Sequence, residues 1–136
     1  MSKRKVNSLL GTLALAMGGC IYILFRDRSY IAMLFEGWPL ISCIRSIIAP
    51  YAGKYVKYYL GDFLWCFSLG CYFQAVFLPK NMGVFLCAGA AFLCGTAWEL
   101  MQYIQFISGT ADVLDILMYL SAGILCTIIN LKERKL

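Results

Sequence analysis

The sequence predicts an all-α integral membrane protein: a helical bundle of four transmembrane helices plus an interfacial or re-entrant helical segment at about residues 30–50. Three observations predict it. First, hydrophobic residues make up 62% of the 136-residue chain and charged residues only 14%, against about 45–50% and about 25% in soluble domains. A globule of this size covers only about two-thirds of its chain's surface, so the excess apolar surface must face lipid. Second, the apolar residues form long unbroken runs. A membrane β-barrel would instead show short alternating segments. Third, the basic residues gather at the ends, Lys3, Arg4 and Lys5 at one and Lys132, Arg134 and Lys135 at the other, within a net charge of +5. Basic ends on an apolar body orient a membrane protein. No basic stripe is interleaved with exposed aromatics, so no nucleic-acid partner is expected.

The first apolar run, Val6 to Phe25, is long enough for one span of about 30 Å. Its basic start resembles a signal peptide, and Met17-Gly18-Gly19-Cys20 resembles a lipoprotein cleavage box. The run continues through Ile21–Phe25, which favours an uncleaved span. Arg26-Asp27-Arg28 ends it. Tyr30 to Pro50 is apolar but carries Glu36, Pro39 and Arg45. Pro39 would kink a helix and the two charges would be costly at mid-bilayer, so this stretch reads as interfacial or re-entrant. Trp38, Tyr51, Tyr55, Tyr58 and Tyr59 suit a membrane–water boundary.

The second span covers about 60–78 and ends at Pro79-Lys80-Asn81. The third, about 82–106, is rich in small residues (Gly83, Ala88, Gly89, Ala90, Ala91, Gly95, Ala97). Small residues let helices approach closely, which predicts that this helix is the central one. Ser108-Gly109-Thr110 turns the chain into the fourth span, about 112–131. Residues 1–136 thus form one domain. Four spans place both basic ends in the cytoplasm; a full span at 30–50 would separate them.

Seven cysteines lie mostly within the apolar runs, none in a CxxC pair, and the chain has no histidine. Zinc and haem are not expected, and the cysteines read as small buried hydrophobes; no cofactor is expected.

Under this topology the intramembrane acids gather near the outer surface. Asp62 opens span two, Glu99 and Gln102 lie in the outer half of span three, and Asp112 and Asp115 open span four. Glu99 and Gln102 are spaced i, i+3, as are Asp112 and Asp115, so each pair shares a helix face. Ionised carboxylates in lipid are expensive unless they meet a cation, each other or a cavity. Each residue also has a purely structural alternative. Asp112 can cap span four, Asp115 can answer its helix dipole, Asp62 can start a helix after Gly61, and Glu99 can pair with Arg45 or lock span three to span four through a hydrogen bond. Tyr119, one turn beyond Asp115, can donate into the cluster. Gln74 and Asn130 point to the opposite end. As a pocket, Asp62, Glu99, Gln102, Asp112, Asp115, Tyr119 and Arg45 can bind a divalent cation, an ammonium group or sugar hydroxyls, with Arg26, Arg28 and Arg45 available to phosphate headgroups.

Trp98-Glu99-Leu100-Met101-Gln102, followed by Gly109-Thr110-Ala111-Asp112-Val113-Leu114-Asp115 and Gly123, resembles the VanZ-like family of small bacterial four-span membrane proteins. Gly61-Asp62-Phe63-Leu64-Trp65 resembles the opening of a middle span in that family. The resemblance covers about residues 60–125. The chain departs from the family pattern at Tyr119, where an Asn is common, and at Thr110, where an Arg is common. The resemblance implies a multi-pass bacterial cell-membrane protein associated with glycopeptide (teicoplanin) resistance.

The resulting expectation is a non-enzymatic protein. It would bind a lipid, a lipid-linked envelope precursor or a lipopeptide-like antibiotic at an outward-facing acidic pocket. Its partners would be membrane lipids, with a homo-oligomer or a membrane-protein partner as further options. The alternatives are a transport or channel component, for which the cytoplasmic half carries too few polar groups, an accessory subunit of a membrane complex, and an intramembrane enzyme using the acid pairs for general acid–base work.

Overall fold

Apolar runs of about 20 residues satisfy their own backbone hydrogen bonds as helices of about 30 Å, the thickness of a bilayer core. The computed structural model of the chain, which describes residues 2–26, 33–77 and 83–132, contains four such helices. Helix α1 is Lys3–Phe25, α2 is Pro39–Ile48, α3 is Gly61–Phe77, α4 is Val84–Tyr103 and α5 is Val113–Lys132. A 3-10 turn, Ala49–Tyr51, follows α2, and a π-helical turn, Val56–Leu60, leads into α3. Lys3–Phe25, Val56–Phe77, Val84–Tyr103 and Val113–Leu131 are long and apolar enough to cross a membrane. The protein is therefore an all-α membrane protein.

The boundaries differ from the expected ones for local reasons. The second span begins at Val56, before Leu60, because the π turn continues the helix backwards. The third ends at Tyr103, not Phe106. Gln105 adopts a left-handed conformation (φ 56°), and the Phe106 and Gln105 amides turn back to the Met101 and Gln102 carbonyls. That pattern is the Schellman helix stop. The fourth begins at Val113, with Asp112 as its cap. Residues 27–32, the Pro79-Lys80-Asn81 turn, Met82 and the basic tail residues Arg134 and Lys135 lie outside the described residues.

Helix α2 has ten residues, or about 15 Å, half of what a span requires. Pro39 does not kink it. The proline sits in the first turn, where its missing N–H has no helical partner to lose. Trp38, Leu40, Ile47 and Ile48, together with Tyr51 and Tyr55 beyond, are exposed. Such apolar exposure on a short helix suits the surface of a bilayer.

The central helix is α3, contrary to the expectation for α4. Half of its span is buried, against 28% for α4 and 17% for α1. It runs antiparallel to α1 and packs on α4 and α5. The small residues of α3 face inward: Gly61, Ser68, Gly70, Cys71 and Ala75 are buried. Gly83 and Gly89, in and just before α4, face open space. Small residues predict close approach only on the face that meets a neighbour, and one-dimensional spacing did not identify that face.

The end of the bundle holding the start of α1 and the finish of α5 carries buried amides. Asn7 and Asn130 exchange hydrogen bonds of 2.8 and 3.1 Å, and Asn130 also donates to the Cys126 carbonyl at 3.0 Å. Gln74 is 1% exposed, and neither atom of its carboxamide has a partner among the described residues. The Asn pair ties the first helix to the last. Asn7→Leu leaves the Asn130 side chain half-satisfied in an apolar core and should cost about 1–2 kcal/mol. Denaturant titration in detergent measures this, and Asn7→Leu combined with Asn130→Leu should cost less than the sum of the two.

Candidate functional site

The opposite end of the bundle collects the carboxylates. Four helix ends meet there: the finish of α1, the start of α3, the finish of α4 and the start of α5. Asp62 enters from α3. It accepts from Tyr22 Oη at 2.7 Å and from Arg26 Nη2 at 3.3 Å, both near the end of α1. The Arg26 guanidinium lies 4.6 Å from the Tyr22 ring centre, donates to Tyr22 Oη at 3.1 Å and donates to the Tyr58 carbonyl at 3.2 Å. The Tyr22 ring packs over Gly61, where a Cβ would sit 2.9 Å from the ring edge. A glycine directly before Asp62 therefore lets the phenol reach the acid.

Glu99 enters from α4 and is 4% exposed. Its Oε1 accepts from Tyr119 Oη at 2.9 Å and its Oε2 accepts from the Asp112 backbone N–H at 3.2 Å. One buried carboxylate thus ties α4 to both the cap and the second turn of α5. The Tyr119 ring fits because residue 95 is glycine: a Cβ there would lie 2.7 Å from the ring's Cγ. Gln102, on the same face as Glu99, lies against the backbone of Gly109, whose φ of +152° favours glycine.

Asp112 caps α5. Its Oδ1 accepts from the Leu114 N–H at 3.0 Å and its Oδ2 from Tyr59 Oη at 3.0 Å. The cap role is therefore present, and a phenol is added to it. These bonds, the Leu114 amide first and Tyr59 second, hold the Asp112 carboxyl below its ordinary value of 3.8. A lowered acid contributes stability that is fully present above its unfolded value and is lost as pH falls through the folded one. Acidification below about pH 4 should therefore loosen the start of α5. Thermal melts at stepped pH test this. Asp112→Asn keeps a capping oxygen but should remove this contribution to the pH dependence.

Asp115 differs from the other three acids. It is 8% exposed, and its Oδ1 is buried without a hydrogen-bond partner among the described residues. It lies in the field of the Asp62, Glu99 and Asp112 carboxylates, opposed by the Arg26 guanidinium.

Asp62, Glu99, Asp112, Asp115 and Tyr119 therefore gather at one end, with Gln102 at its edge. Arg45 does not pair with Glu99. It donates to the carbonyls of Ile23, Leu24 and Arg26 at 3.0–3.3 Å and so caps the end of α1. A cation answering the exposed carbonyls of a helix C-terminus satisfies both the charge and the donors. Arg26, not Arg45, supplies the cation at the acids. Arg28 lies outside the described residues. Sequence reasoning also missed Tyr22 and Tyr59, which read as apolar-run and interface residues. Their partners stand 40 and 53 positions away, and no local spacing signals such a pair. Among the described residues no three His, Cys, Asp or Glu side chains come together as a metal site.

No family model, no curated protein and no solved structure matches the chain.

Proposed function

We propose that this chain is a non-enzymatic protein of the bacterial cell membrane that binds the headgroup of a lipid, a lipid-linked envelope precursor or a lipopeptide-like antibiotic at its acidic end. In this reading the acidic end faces outward and both termini are cytoplasmic. The observation that carries it is Asp115, a carboxylate buried among three others with one buried oxygen that has no hydrogen-bond partner among the described residues. Buried polar groups are nearly always partnered, and an acid at membrane depth that is left unpaired points to a ligand. The other acids are held in fixed places by phenols, which preorganises the cluster around Asp115. The exposed aromatic and apolar rim at this end, including Tyr51, Tyr55, Tyr103 and Phe106, favours a ligand delivered from the membrane surface. The resemblance of Glu99, Gln102, Gly109, Asp112 and Asp115 to the VanZ-like pattern supports the same reading, and with it a contribution to glycopeptide resistance.

Mass spectrometry of amphiphiles that co-purify with the full chain tests the binding. The wild-type protein should retain one species that is lost from Asp115→Asn. Identical lipid complements in the two proteins would contradict the reading.

One observation favours an accessory-subunit role. A lipid-facing groove of about 330 Å³ between α4 and α5 is lined by Phe85, Ala88, Gly89, Phe92, Gly123 and Thr127. Small residues at such a groove admit a partner helix. A stoichiometric protein partner that is lost on Gly89→Leu would support this role.

A further inference from the structure

The hydrogen-bond inventory at the acidic end bears on the kind of group it would accept. Asp62 has a phenol and a guanidinium, Glu99 a phenol and a backbone N–H, and Asp112 a phenol and a backbone N–H. Asp115 Oδ1 has none of these. Among the described residues the four carboxylates are opposed by Arg26 and, at the rim beside Asp112, by Lys54. Among the described residues, four carboxylates thus face two cations, and the buried Asp115 Oδ1 lacks a donor. A sugar hydroxyl supplies a donor without charge, and a quaternary ammonium supplies charge without a donor. A metal ion needs several oxygens on one point, and among the described residues no group of three acids provides that. A primary ammonium supplies one positive charge and three N–H donors from a single atom.

We infer that the acidic end selects a primary ammonium carried on an amphiphile, with one N–H donated to Asp115 Oδ1. This rests on the binding reading above and names its ligand class. The remaining lone pairs of Glu99, 4% exposed and fixed by Tyr119 and the Asp112 amide, offer the second acceptor. The exposed side chains of Trp38, Tyr51, Tyr55 and Phe106 at this end suit the ligand's apolar tail.

The test uses the purified full chain in neutral maltoside micelles and three probes with the same tail: dodecylamine, dodecyltrimethylammonium and dodecanol. Ethylamine serves as the tail-less control. Dodecylamine should bind saturably, one per chain, and about tenfold or more tighter than the trimethyl analogue, the difference expected for one charge-assisted hydrogen bond. Asp115→Asn should lose about the same factor, since it removes the charge and turns a donor toward the ammonium. Ethylamine should bind far more weakly, and equal binding by ethylamine would overturn the amphiphile as the source. Equal binding of dodecylamine and dodecyltrimethylammonium to the wild-type chain would overturn the N–H requirement, and that comparison needs no variant to fold. Co-purification of an amine-free amphiphile that Asp115→Asn loses would overturn this inference while leaving the binding reading standing. Saturable binding of no probe, with identical co-purifying lipids in wild type and Asp115→Asn, would remove both.

Discussion

Glu99→Ala should destabilise the protein strongly, by about 2 kcal/mol. Two donors depend on this carboxylate: Tyr119 Oη at 2.9 Å and the Asp112 N–H at 3.2 Å. Each charge-assisted bond contributes about 1.5–3 kcal/mol, and losing the acceptor leaves both donors unmatched. Polar bonds between membrane helices average closer to 1 kcal/mol, which places the sum at the lower end of that range. Relief of repulsion with Asp115 offsets a further part. Glu99→Gln should be milder, because its carbonyl oxygen still serves one donor while its NH2 opposes the other. Tyr119→Phe combined with Glu99→Ala should cost less than the sum of the two, since they remove the same bond. Reversible unfolding in mixed micelles measures all of these. A Glu99→Ala protein as stable as wild type would show that the carboxylate does not hold α4 to α5.

The second large effect is at a residue with no polar atom in its side chain. Gly95→Ala places a methyl group 2.7 Å from Tyr119 Cγ and 2.8 Å from Cδ2. The base of a 5%-exposed ring cannot swing away as a flexible tip can. Either the ring moves and withdraws its hydroxyl from Glu99, or α4 and α5 separate. Overpacking of this kind costs about 1–3 kcal/mol. Pairing the substitution with Tyr119→Ala, which removes the ring, should restore tolerance at residue 95. Gly89→Ala serves as the control, because a Cβ there meets nothing within 4 Å.

The gross architecture was legible because composition and run length act through the solvent. A stretch such as Val113–Leu131 must be helical in lipid whatever its neighbours are. Asp112 was legible as a cap for the same local reason. Tyr119 one turn beyond Asp115 was read as a donor into the cluster, and its hydroxyl meets Glu99. What sequence did not supply is the identity of partners across helices. Arg45 and Arg26 are both cations following the first span, and only the packing of α2 against α1 assigns one to the helix end and the other to Asp62. Asn7 carries no periodic signal, yet it is 1% exposed and bonded to Asn130, 123 positions away. The small residues of α4 suggested a central helix, whereas α3 is central because its small residues line the faces that meet α1 and α5. The proposed site depends on those cross-helix pairings. Four carboxylates could be anticipated near one level, but which of them has an oxygen without a partner among the described residues could not.

A density map of the full chain in a lipid nanodisc, purified without exchange of its native lipids, tests the central claim most directly. The account predicts headgroup density within about 3 Å of Asp115 Oδ1, with a tail running down the apolar rim of the bundle. A map in which that oxygen is bonded to a side chain of the protein itself, with no headgroup beside it, would contradict the account.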